Sequence, residues 1–167
     1  MTTRKRFAVL GLVAMLGLVG AACRPRVAAP PPPVPRVVNC VIGADATAAR
    51  IVQLANEARA AVGVGPLAWD GQLGCLARDW ANHIAVTGSF THRDLSAVLR
   101  DSAYARWSTL GENILRAGES ISADGMHQAW MNSSSHRAVL LSASFRYIGF
   151  GLVYANGKAH AVQNFGA

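Results

Sequence analysis

The sequence predicts an α+β domain, with helices gathered around a small antiparallel sheet. Two observations carry that prediction. Segments of helical period come first along the folded part, and two segments of period two close it. The pair Asn156-Gly157 stands between those last two segments, as in a tight hairpin.

The elements follow in order. "ATAARIVQLANEARAAVG" (46–63) places Ile51, Leu54, Ala55, Ala58 and Val62 on one helical face. Asp45 or Thr47 caps its start, and Gly63, Gly65 and Pro66 end it. "GQLGCLARDWANHIAVTG" (71–88) is a second helix, with Leu73, Leu76, Ala77, Trp80 and Ile84 inward. A shorter helix covers Asp94 to Asp101. Another spans Ser122 to Asn132, with Ser122 as cap, Asp124 near the positive helix end, and Met126, Ala129 and Trp130 inward. "FRYIGFGLVY" puts Ile148, Phe150, Leu152 and Tyr154 on one side of a strand. "KAHAVQNF" returns with Ala159, Ala161, Gln163 and Phe165 on one face.

Charge separates this domain from what precedes it. The chain of 167 residues has 16 basic and 9 acidic side chains, a net +7. Arg4, Lys5, Arg6, Arg24, Arg26 and Arg36 supply +6 of that, with no acid before residue 37. The remaining 10 bases against 9 acids leave +1 for residues 37–167. A nearly neutral domain without a basic, aromatic-studded stripe excludes nucleic acid as the expected partner.

Residues 1–22 read as an export signal: a basic start, then the apolar run "FAVLGLVAMLGLVGAA", which ends in small residues. An uncleaved anchor helix is the alternative, though the run is short for a span of about 20 residues. Cleavage after Ala22 exposes Cys23, and "LVGAAC" resembles a bacterial lipoprotein signal, with Gly20 where a branched apolar residue is usual. Simple secretion fits as well. The membrane is then met only through the signal or a lipid. Residues 23–45 form a tether, and "RPRVAAPPPPVPR" within it favours extended polyproline II. No packed structure is expected before about residue 40. The domain occupies 46–167 and is expected to be a monomer.

Three cysteines in an exported chain leave one over. With Cys23 lipidated or removed, Cys40 and Cys75 are free to pair and pin the stretch before the first helix onto the second. Two separate buried thiols are the alternative, which an oxidising compartment disfavours.

Five histidines are present. His83 and His127 fall in helices and His160 in a strand, where packing accounts for them. His92 in "SFTHRD" and His136 in "SSSHRAVL" sit in polar, turn-like stretches at element ends, where sites are commonly built. In "TLGENILRAG" (108–117), Glu112 and Asn113 interrupt apolar neighbours Leu110 and Ile114. A carboxylate there is costly unless held.

The blocks "FTHRD", "LGENIL", "AWMNSSSHRAVLL", "YIGFG" and "VQNFG" occur in series with spacings that resemble the CAP superfamily: cysteine-rich secretory proteins, antigen 5 and plant pathogenesis-related proteins. The chain resembles in particular the bacterial, SCP-like extracellular branch, over residues 47–166. The resemblance implies a three-layer α-β-α sandwich with a small antiparallel sheet between helices. It also implies a cleft whose two histidines fall on His92 and His136 and whose glutamate falls on Glu112. The second glutamate of many members would fall near Ser133 and is absent here. Val139 stands where the bacterial pattern has asparagine.

The expectation is that Glu112 faces His92 and His136 across this cleft. A carboxylate on an imidazole fixes its tautomer and raises its basicity. Two such rings aimed at one point suit a weak, open Zn²⁺ site. Asn113 is expected to serve the backbone at a turn and, with Ser133, to border the ligand. Three outcomes stay open: a hydrogen-bond cluster that only locks loops, a binding site, and a catalytic site. As a binding module the cleft takes a metal, a small apolar ligand of lipid or sterol type, or a wall component. The alternative is a metal-dependent hydrolase in which Glu112 or a histidine activates water. The chain lacks HExxH and GxSxG, so the reading leans away from an enzyme.

Overall fold

The computed structural model describes the backbone of Arg36–Val37 and all of residues 45–167. The expected signal (1–22), Cys23, Cys40 and most of the tether lie outside the described residues.

The element order is β1 (Arg36–Val37), α1 (Ala46–Ala61), β2 (Ala68–Trp69), α2 (Gly71–Thr87), α3 (Leu95–Arg100), a 3₁₀ turn (Ser102–Tyr104), β3 (Leu110–Gly118), α4 (Ala123–Asn132), α5 (Ser134–Leu140), β4 (Tyr147–Ala155) and β5 (Lys158–Gly166). Asp45 caps α1, its Oδ1 accepting from the N–H groups of Thr47 and Ala48 at 2.9 and 3.1 Å. Asp70 and Ser122 cap α2 and α4 in the same way. Asn156 and Gly157 both have positive φ (53° and 68°), as the hairpin between β4 and β5 requires.

The strands lie in the order β1-β4-β5-β3, with β2 joined to β4. Four expectations need correction. The sheet is mixed, because β2 runs parallel to β4 while the other pairings are antiparallel. Packed structure begins before residue 40, since Arg36 and Val37 pair with Tyr154 and Val153. The "GENIL" stretch is not a turn but part of the nine-residue strand β3. His136 lies within a short helix, α5, rather than in a turn.

Helices cover both faces of the sheet, giving the three layers. On one face Ile114, Val162 and Val153 meet Ala77, Ala81, Ile84 and Ala85 of α2. Gly149 and Gly151 let α2 lie against the backbone of β4: a Cβ at either would run into main-chain atoms of Leu73 and Gly74, or of Ala77 and Arg78. On the other face Phe150, Leu152, Ala159 and Ala161 meet Ala48 and Ile51 of α1 and Met126 and Trp130 of α4. Leu140, Phe145, Ile148 and Phe165 continue that layer toward α5.

The inner face of the first helical segment differs from expectation at two positions. Val62 is exposed, and Arg59 is buried in its place. The Arg59 guanidinium reaches the carbonyls of Gly65, Leu140, Ser142 and Phe145 at 2.7–3.0 Å. It therefore closes the turn after α5 onto the end of α1.

Candidate functional site

The site is built across β3, an edge strand. Successive side chains of a strand point to opposite faces. Glu112 therefore projects into the layer of α2, as its partner Asn164 does, and Asn113 into the layer of α4 and α5, with its partner Gln163. Each of these two neighbours holds one histidine segment.

On the α2 side, Glu112 Oε1 lies 2.8 Å from His92 Nδ1 and accepts the N–H of Arg93 at 3.0 Å. Arg93 in turn donates to the Leu76 carbonyl at 3.1 Å and to Asp79 at 2.7 Å, both on α2. The loop carrying His92 is thus fastened at once to the helix and to the buried carboxylate. On the other side, the Asn113 amide donates to the backbone carbonyl of His136 at 3.1 Å and to Gln163 Oε1 at 3.1 Å. Asn113 is fully buried, and its bond to the His136 carbonyl places the histidine-bearing helix. Its service to the backbone is real, but from within a strand.

Electrostatics distinguishes the three ionisable groups. The Glu112 side chain is 1% exposed and that of His92 is 58% exposed. Burial pushes the Glu112 carboxyl above its ordinary value, against the lowering effects of the Arg93 N–H and of His92. Its second oxygen, Oε2, is buried and has no hydrogen-bond partner. Burial lowers the pKa of His136, and His92 is close enough that its charge lowers it further. His92 is thus bonded to Glu112 and lies within electrostatic reach of His136.

Ser133 precedes α5 without a side-chain cap; its hydroxyl lies 3.2 Å from that of Ser135. Cys75 is disulfide-bonded, and its expected partner Cys40 lies outside the described residues. Sequence reasoning does not single out Arg93, although it adjoins His92 in "FTHRD".

With Nδ1 of His92 held by Glu112, its Nε2 is the nitrogen left for a ligand. The neutral ring then carries its proton on Nδ1. Among the described residues no group of three or more His, Cys, Asp and Glu side chains is disposed to hold a metal ion. What the site offers is two imidazoles, with the carboxylate behind one of them.

A model of the cysteine-rich secretory protein family matches residues 52–165. The chain belongs to that family. It is 30% identical over 108 residues to the uncharacterized protein YkwD of Bacillus subtilis (strain 168), an alignment covering 62% of this chain and 41% of YkwD. This chain thus spans about two fifths of that relative. Its fold is similar to that of an extracellular protein containing a SCP domain from Bacillus anthracis str. Ames, at 26% identity and a TM-score of 0.60, over 71% of this chain and 39% of the other. It is similar also to an outer surface protein from Borrelia burgdorferi, at 17% identity and a TM-score of 0.64, over 80% and 98% of the two chains. That second likeness shows the fold alone.

Proposed function

We propose that this family member is an exported binding module whose cleft takes a divalent metal ion, Zn²⁺ above all, on His92 and His136. The supporting observation is the 2.8 Å contact between His92 Nδ1 and Glu112. A carboxylate behind a ring fixes its orientation and makes the opposite nitrogen a better ligand. Glu112 spends Oε1 on this and on Arg93, and its Oε2 is buried, so it would act behind the metal and not on it. Two protein ligands leave the remaining positions of the ion to water or to a small molecule. Zinc bound there supplies a Lewis acid. The chain's own residues orient the rings and hold the proton on Nδ1.

The rest of the reading concerns place. The basic start, apolar run and proline-rich spacer support export, with Cys23 as a lipid anchor or as the end of a cleaved chain. The disulfide of Cys75 suits an oxidising compartment, with Cys40 as its partner.

Calorimetric titration of the protein with zinc tests the site. We expect saturable heat at one ion per chain, abolished in the His92→Ala, His136→Ala double variant. Absence of heat in the parent would overturn the reading. Saturable heat kept by the double variant would move the ion elsewhere.

A further inference from the structure

A second concave site lies far along β3 from Glu112. The last turn of α2 and the β4–β5 hairpin part there to leave a cavity of about 320 Å³. It exists because the wall residues Ala85, Gly88 and Ala155 are too small to fill the wedge. Its polar lining is basic: Arg116, Lys158 and His160, with Asn156 at the rim.

These three bases share one face of the sheet. Arg116 stands directly opposite His160, and Lys158 comes two residues before His160 on the same side of β5. Arg116 donates to the Gly88 carbonyl on the cavity wall at 2.9 Å and lies over the Phe90 ring, 4.8 Å from the centroid. Lys158 makes no ion pair among the described residues. His160 is 5% exposed, and its Nδ1 is buried without a hydrogen-bond partner. Buried polar groups left unpaired are uncommon and ask for a missing partner. Glu119 lies on the adjoining turn, its N–H bonded to the Gly157 carbonyl at 3.2 Å.

We propose that this wedge binds a phosphate group, held by Arg116 and Lys158 and reaching toward His160. A guanidinium fork and an ammonium are the usual pair for a phosphate oxygen triad. The small apolar walls suit the short carbon stem of a phosphate ester. Two sources share that chemistry: a soluble phosphate monoester and a phospholipid headgroup.

The chain's lysines are Lys5 and Lys158, so amine acetylation followed by mass spectrometry reads one lysine of the domain. The intact chain is labelled with glycerol 3-phosphate, or with sodium chloride at equal ionic strength. It is also labelled in vesicles of phosphatidylcholine alone and with phosphatidylglycerol. We expect saturable protection of Lys158 by glycerol 3-phosphate, with affinity reduced about tenfold in Arg116→Gln. Stronger protection by phosphatidylglycerol vesicles than by the soluble ester assigns the lipid source, and the reverse assigns the soluble one. Protection matched by chloride, protection unchanged in Arg116→Gln, or no protection by any probe overturns the proposal.

Discussion

Arg59 and Glu112 are both charges taken out of water, and the protein treats them differently. Arg59 gives four hydrogen bonds to main-chain carbonyls, reaching from the end of α1 to the turn after α5. Its burial lowers its pKa, yet an arginine stays charged at any ordinary pH. Glu112 has two partners on one oxygen and none on the other, and its burial works against its ionisation. A buried ion with a partner on every nitrogen is an architectural fastener. A half-satisfied one, set beneath an exposed imidazole, lowers stability where a neutral side chain would not. Such local cost concentrates at functional sites.

The largest effect tests the fastener. Arg59→Met should lose about 4 kcal/mol of folding stability in urea denaturation, since several buried carbonyls lose their donor. A loss below about 1 kcal/mol would erase the contrast with Glu112.

The next test concerns the other charge. Glu112→Gln should change stability at pH 7 by less than about 1 kcal/mol, because the amide still accepts from Arg93 and sheds the burial penalty. Its zinc affinity should nevertheless fall by about 10- to 100-fold, as expected when the group behind a metal-bound histidine changes. Equal loss of stability and of zinc binding would make Glu112 a fastener like Arg59.

The smallest effect is a slope. The Glu112 carboxyl is raised above its unfolded value of 4.5, so the folded state holds its proton more tightly. Its contribution is complete below pH 4.5 and is lost as pH rises through the folded value. In metal-free buffer, the stability of Glu112→Gln relative to the parent should therefore climb as pH increases above 4.5. A flat difference would mean that burial of this carboxylate costs nothing.

The same two residues show what can be read from the sequence. Helices α1, α2 and α4 are legible because long apolar periods and capping residues agree there, and the final hairpin because Asn156-Gly157 adjoins clean alternation. Strand β3 is not legible, since its buried positions include Glu112 and Asn113 on opposite faces, which breaks the alternation. Helix α5 has only seven residues and opens on serines, so it reads as a turn. Arg59 stands at positions i+4 and i+8 from Ala55 and Ile51, on the inner face, but its charge argues for the surface. His92, Glu112 and His136 stand out through their motif blocks. The fastening of the His92 loop through Arg93 does not, because a main-chain donor carries no residue signature.

Gly149 and Gly151 bear on the cleft although neither comes near it in sequence. They let α2 rest on the main chain of β4, and Arg93 hangs the His92 loop from α2. One added methyl at either position would lift the helix and carry the loop with it. The distance between the two rings is thus set from beneath, by atoms the chain omits. Alanine at either position should therefore change the spacing of His92 and His136 without touching either ring.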